Sequence, residues 1–293
     1  MSRHDEQVDR ATSGWAPSPR LTSDKRIAIT GGSGRVGKAI RGALAGRVPS
    51  IRVVDIADPG ALRANETWSK ADISDRADLV RALVDVDAIV HLAGYPNERD
   101  IEEILRVNVL GTHNVFEAAR ENGIGRIVFG STNHVVGFYP RETTVSPTDP
   151  MRPDSLYGLS KCWGELEAGL YYDKAGIRSL NIRIGNAAER PTDARAKAIW
   201  VAPDDLAQLV LIGLEHPDIR CETVFGVSET DGDWWDNGRA AELGYVPGCS
   251  AAAAAPEPLA ERATELPEIS EIFQGGRFCV AGHDGTLRHR RHR

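Results

Sequence analysis

Two groups of residues in this sequence have types and spacings suited to reaction chemistry. In Tyr157-Gly158-Leu159-Ser160-Lys161, tyrosine and lysine stand four apart and so share one face of a helix. A hydroxyl, Thr132, lies 25 residues upstream, just beyond the short apolar run Ile127 to Phe129. Such a set suits removal of hydride from an alcohol carbon, which needs a base for the hydroxyl proton. A free tyrosine, with a pKa of about 10, is a poor base at neutral pH, and a nearby lysine cation favours its phenolate. Lowering that pKa by about 3 takes roughly 4 kcal/mol of differential interaction. An ammonium, aided by a cationic cofactor ring, is expected to supply it. Thr132 would hold and orient the same substrate oxygen, and Asn108 would position the lysine through water.

The second group is Thr30-Gly31-Gly32-Ser33-Gly34-Arg35-Val36-Gly37, directly after the run Ile27-Ala28-Ile29. Gly31, Gly34 and Gly37 have the spacing G-x-x-G-x-x-G between a strand and a helix. Glycine lets the backbone approach a pyrophosphate, and the helix N-terminus offers it free N–H groups and partial positive charge. Gly32 to Lys38 also spells the start of an ATP-binding P-loop, but Ala39 stands where that motif needs Ser or Thr for magnesium. Asp55 closes the second strand, where an acid bonds adenosine ribose hydroxyls and repels a 2′-phosphate. NAD is therefore the expected cofactor, with Arg35 close enough in sequence to leave NADP open. Asp72, ending a third short strand, is a further candidate for the adenine side, together with Ile73.

The elements that must position these groups are legible as short apolar runs. Ile27 to Ile29, Ile51 to Val54, Ala88 to Leu92, Ile127 to Phe129 and Leu180 to Ile184 are too short for helices and read as buried strands. Helical faces lie between them, with Leu79, Val80, Leu83 and Val84 on one and Leu206, Leu209, Val210 and Leu214 on another. Asp75 and Asp78 fall where a helix N-terminus favours negative charge. This alternation predicts an α/β protein with a Rossmann-type doubly wound parallel sheet. The expected organisation is a disordered extension over 1–24, one NAD-binding domain over 25–250 and a C-terminal segment over 251–293. Substrate-binding elements are expected mainly from 185 onward. The last segment ends in the basic run Arg288 to Arg293, expected to be a solvated tail.

Composition narrows the setting. Of 293 residues, 41% are hydrophobic, and no apolar run approaches the roughly 18 residues of a membrane span. The first 24 residues hold no apolar signal-peptide core. The four cysteines, Cys162, Cys221, Cys249 and Cys279, form no C-x-x-C pair, which fits a reducing cytoplasm and argues against a structural zinc site. No carboxylate cluster has metal-ligand spacing. A net charge of -7 argues against nucleic-acid backbone binding. Helix-mediated homo-oligomers are common on this fold, so a homo-oligomer is expected, although no stripe in the sequence decides its size.

Taken together, T-G-x-x-G-x-x-G, His91-Leu92-Ala93-Gly94, Asn108 and Y-x-x-x-K resemble the extended short-chain dehydrogenase/reductase superfamily, the NAD-dependent epimerase/dehydratase family. Longer segments are similar to the uronate dehydrogenases within it. These are Ser131 to Pro140, Arg152 to Cys162, Asn181 to Gly185 and Trp234-Trp235-Asp236-Asn237, and the similarity runs from about residue 26 to Gly276. The resemblance implies oxidation of a hexuronic acid, glucuronate or galacturonate, at its C1 hemiacetal to the aldarolactone, with hydride passing to NAD+. It adds Val36, Leu92, Ala93 and Gly94, with Tyr157 and Lys161, to the cofactor contacts. It also implies that Arg195 grips the substrate carboxylate and that Asn133, His134 and Asn186 line the sugar pocket with Thr132 and Tyr157. Thr132, Asn186 and Pro96 stand where the family usually has serine, so the sugar preference is left open. Two other readings of the same motifs are a sugar-nucleotide epimerase or dehydratase and a non-catalytic NAD-binding regulator. Only 109 residues follow Ile184, which leaves little room for a nucleotide-sugar domain.

Overall fold

The computed structural model describes residues 18–21, 24–255 and 267–288. Most of the expected N-terminal extension and the basic run after Arg288 lie outside the described residues. The chain order is β1 (Arg26–Thr30), α1 (Arg35–Ala43), β2 (Ser50–Asp55), β3 (Glu66–Lys70), α2 (Arg76–Ala82) and β4 (Ala88–His91). A short α3 (Ile101–Glu103), a π-helical segment (Ile104–Leu110) and α4 (Gly111–Glu121) then run head to tail. After β5 (Arg126–Thr132) and a 3-10 turn (Asn133–Val136) comes α5 (Leu156–Ala175). Next come β6 (Arg178–Ile184), β7 (Asn186–Ala187), α6 (Ala194–Ala198), β8 (Trp200–Val201), α7 (Pro203–Glu215) and β9 (Cys221–Gly226). They are followed by short helices α8 (Gly238–Glu242), α9 (Ala251–Ala254) and α10 (Glu268–Ile272) and a 3-10 turn (Gly276–Cys279).

Seven strands form one parallel sheet in the order β3-β2-β1-β4-β5-β6-β9, so the strand order reverses between β1 and β4. Strands covered on both faces read as continuous apolar runs, and every residue of β4 is buried. Ile40 and Leu44 pack with Leu206, Leu209 and Val210 on one face of the sheet, and Leu79, Val115, Phe116 and Ala168 on the other. The edge strand β3 is mostly exposed and polar, so no apolar run marks it. The opposite edge, β9, is half-buried over Cys221–Thr223 and escapes the sequence pattern for the same reason. The expected face Leu79-Val80-Leu83-Val84 breaks at its end. Helix α2 stops at Ala82, the chain turns through Asp85 at φ 59°, and Val84 is left exposed.

Three contacts fix the catalytic side of this frame. Arg41 of α1 is buried beneath the glycine turn, donating to Gly32 O (3.1 Å) and pairing with Glu66 of β3 (2.8 Å). Burial works against the Glu66 carboxylate, but bonds from Arg41 and the Arg63 backbone prevail and hold it at about 2. On the far side, Glu165 of α5 accepts from Arg183 of β6 (2.8 Å) and from Ser131 Oγ of β5 (2.5 Å). Gly164 lets α5 lie against β5, because a Cβ there would fall 2.3 Å from the Phe129 ring.

Part of the C-terminal segment packs against the sheet domain, from Ile269 to Cys279. Gly275 N donates to Gly137 O (2.8 Å), and the Gln274 amide donates to Thr143 O (2.8 Å). Ile269, Phe273 and Cys279 form a small apolar cluster with Phe138, which explains why this stretch packs.

Candidate active site

At the C-terminal end of β1 the chain turns through Gly31 at φ +70°, where a Cβ would lie 2.6 Å from Ala93 N. Gly34 caps α1 without a side-chain bond, so Arg35, Val36 and Gly37 open a helix whose first-turn N–H groups have no side-chain partner. At Gly37 a Cβ would strike Gly31 O at 2.3 Å, which ties the helix close to the turn. Asp55 ends β2 and is held by Ser33 N and Ala57 N, each at 2.9 Å and each on a different oxygen. Both oxygens retain capacity for a ribose hydroxyl. An uncapped helix end beside a glycine turn, with a fixed acid on the next strand, fits a dinucleotide. Asp72 follows β3 and folds back on Ser74, whose N–H (2.8 Å) and Oγ (2.9 Å) both donate to one carboxylate oxygen. Ile73 is buried against Gly111.

Beyond β4 and β5 a cavity of about 520 Å³ opens. Its walls bring together Arg35, Val36, Leu92, Gly94, Thr132, Asn133, His134, Tyr157, Lys161, Asn186 and Arg195, along with Pro96. Gly31, Gly34, Gly37, Asp55, Asp72, Ile73 and Ala93 are not on those walls and follow the sheet edge toward β3. Asn108 is behind the wall. Its amide donates to Ser160 Oγ and Tyr95 O, both at 3.0 Å, and its oxygen accepts from Tyr95 N at 2.8 Å. It therefore braces the loop after β4 against the residue preceding Lys161, rather than contacting Lys161 itself.

Tyr157 is buried and lines the cavity together with Thr132. Burial pushes the phenol up to about 12, while the Thr132 hydroxyl and the Arg35 charge pull the other way. Lys161, expected to be the cation that tunes this phenol, donates to Gly130 O at 2.8 Å and lies 4.9 Å over the Phe129 ring. Burial lowers the lysine to about 8. The Arg35 charge, held in place by a bond to Ala187 O, lowers the phenol by less than burial raises it.

At the opposite wall Arg195 donates Nε to Gln274 O (2.8 Å), while its Nη2 is buried without a hydrogen-bond partner. Burial draws its pKa down to about 10, so it remains a cation at neutral pH. Asn133 Nδ2 is a second buried donor without a partner. His134 donates from or accepts at Nδ1 with Asp154 (2.6 Å), and the Phe278 ring centroid is 3.8 Å from its own. Next to an anion that nitrogen carries the proton, which leaves Nε2 to the cavity. The sequence reading missed Arg277 and Phe278, which also line the cavity. They come from a segment with no motif and reach the site through packing against residues far earlier in the chain, Arg195 and His134 among them.

Comparison with known proteins follows this geometry. The profile of the NAD dependent epimerase/dehydratase family matches residues 27–199. A uronate dehydrogenase of Pseudomonas putida is 40% identical over 262 residues, covering 89% of this chain and 98% of the relative. The crystal structure of a glucuronic acid dehydrogenase from Chromohalobacter salexigens is 43% identical and superposes with a TM-score of 0.84 over 88% of this chain and 98% of that one. A mutant uronate dehydrogenase from Agrobacterium tumefaciens complexed with NAD is 35% identical, with a TM-score of 0.79 over 87% of this chain and 97% of that one. The chain belongs to the NAD dependent epimerase/dehydratase family and is similar, over nearly its whole described length, to that family's uronate dehydrogenases.

Proposed function

We propose that this chain is an NAD-dependent dehydrogenase that oxidises the C1 hemiacetal of a hexuronic acid to the aldarolactone. Bound along the glycine turn, NAD+ supplies the two-electron acceptor for the C1 hydrogen. Tyr157, as phenolate, takes the anomeric hydroxyl proton while Thr132 holds the same oxygen. As the C–H and O–H bonds break, the C1–O bond becomes a carbonyl within the ring, which is the lactone. Arg35 and Thr132 favour the phenolate against burial. Lys161, fixed to Gly130 O, adds positive charge to the cofactor side of the cavity.

The observation that carries the uronate reading is Arg195. A buried guanidinium with an unpartnered Nη2 and no salt bridge among the described residues is costly unless a ligand completes it. A carboxylate does so with charge-assisted bonds, and a neutral hexose does not. The test is absorbance at the NADH band with NAD+ and a panel of glucuronate, galacturonate, their neutral parent hexoses and one nucleotide sugar. NADH is expected only with the uronates. Turnover of the neutral hexoses at the same kcat/KM would remove the carboxylate clamp.

The homo-oligomer is part of this proposal. Leu159, Trp163, Leu166 and Leu170 repeat at helical spacing along α5 and are 53, 51, 67 and 48% exposed. Leu105 and Leu110 of the adjoining π-helical segment are also exposed, so the apolar face is broad. Faces of this kind mark protein–protein contact, and a second copy offers the same surface. Sedimentation should show a multimer that Trp163→Glu with Leu166→Glu converts to a smaller species. A monomeric wild type would refute it. The four cysteines are free, which supports a cytoplasmic setting.

A further inference from the structure

Helix α5 brings Tyr157 and Lys161 to the cavity, and its first turn is held in an uncommon way. Ser155 Oγ accepts from Gly158 N at 3.0 Å, an ordinary N-cap. The two preceding N–H groups, of Leu156 and Tyr157, are met by one carboxylate from a distant part of the chain. Glu98 Oε1 accepts from Leu156 N at 3.1 Å, and Glu98 Oε2 accepts from Tyr157 N at 3.2 Å. Glu98 is on the loop between β4 and α3, and that same loop supplies Gly94, Tyr95 and Pro96 to the cavity wall.

The other side of the Tyr157 peptide is tied to the same loop. Ser160 Oγ donates to Tyr157 O at 2.7 Å and accepts from Asn108 Nδ2, and Asn108 binds both backbone groups of Tyr95. The backbone of Tyr157 is thus held at its N–H by Glu98 and at its carbonyl through Ser160 and Asn108. A carboxylate suits the first tie, because it can accept on two oxygens at once and carries the charge that a helix N-terminus favours.

We propose that Glu98 is a positioning residue for the oxidation, fixing the wall at Gly94 to Pro96 and the catalytic end of α5 as one unit. This rests on the dehydrogenase reading above. Water can satisfy the two N–H groups if Glu98 is removed, so the helix survives. The spacing between the loop wall and the Tyr157 hydroxyl does not. A misplacement of about 1 Å in such a site costs up to about 100-fold in rate. Among the described residues Glu98 has no hydrogen bond to the glycine turn, so cofactor affinity should change far less than turnover.

The experiment compares wild type, Glu98→Ala, Glu98→Gln and Glu102→Ala in the uronate assay, with NAD+ affinity and Tm measured alongside. In Glu98→Ala, kcat/KM for the uronate is expected to fall about ten- to a hundredfold, with NAD+ affinity within about twofold of wild type. In Glu98→Gln one oxygen becomes an NH2 group facing an N–H, so a loss of at least about threefold is expected. Glu102→Ala, an exposed acid on the same segment, should match wild type. Wild-type kinetics in either Glu98 variant would overturn the proposal, as would a rate lost only in proportion to unfolded protein. If Glu98→Ala does not fold, Glu98→Gln decides the matter by the same criterion. A wild type inactive on uronates would instead overturn the dehydrogenase reading, and this proposal with it.

Discussion

Replacing Tyr157 by phenylalanine is expected to lower kcat for uronate oxidation by about 10²- to 10⁴-fold, the range that a positioned general base contributes. The ring remains to fill its place beside His134, whose centroid is 5.9 Å away, so the fold and the cavity wall should persist. What is lost is the hydroxyl whose deprotonation Thr132 favours. The pH profile provides the sign. Burial pushes the phenol up to about 12, against the pull of Thr132 and Arg35, so the phenolate base is a minor species at neutral pH. In wild type, kcat/KM should therefore rise with pH, approaching tenfold per pH unit while deprotonation of Tyr157 limits the rate. Tyr157→Phe should lose that rise along with the rate. A variant that keeps wild-type kcat, or keeps the full alkaline rise, would show that another group takes the proton. Measuring kcat/KM from pH 6 to 9 in both proteins decides it.

Replacing Arg195 by alanine should weaken the uronate and leave the cofactor alone. Breaking a buried, hydrogen-bonded charge pair costs about 2–5 kcal/mol, or roughly 30- to several-thousandfold in kcat/KM. In the variant the substrate carboxylate loses the buried guanidinium, and the exposed Arg277 nearby cannot replace its fixed geometry. Arg195 is fixed by its Nε bond to Gln274 O, which aims the remaining nitrogens and makes lysine a poor replacement. Arg195→Lys should therefore recover only part of the loss. Neutral hexoses, which have no carboxylate, provide the internal control, since any slow rate on them should not fall in Arg195→Ala. Equal losses for uronate and NAD+ affinity would mean that Arg195 holds the cavity wall rather than the substrate.

The fold was largely legible because its central strands are buried on both faces. Ile27 to Ile29 and Ala88 to Val90 must be apolar throughout, and the sheet they predict is the sheet observed. The edge strands β3 and β9 were not marked, since a half-exposed strand admits Thr67, Lys70 and Glu222 and shows no apolar run. The exposed stripe on α5 was hidden differently. Buried and exposed apolar residues alternate around this helix, as with Ala168 against Leu166, and only packing reveals which face is covered.

The local chemistry was determined by the sequence itself. Glycine spacing after a strand, an acid at the end of the next one, and tyrosine four residues before lysine each follow from backbone geometry over a few positions. Those constraints act between neighbours, so they survive in the string of residues. The tertiary structure alone decided what surrounds that chemistry. It turned Lys161 to Gly130 O and placed Arg35 where its charge acts on Tyr157. It also brought Phe278 onto His134 from the C-terminal segment and set Glu98 against the first turn of α5. These contacts join residues 31 to 144 positions apart, from Lys161 with Gly130 to His134 with Phe278. No local spacing encodes them, because they form only when separate strand–helix units close over one cavity.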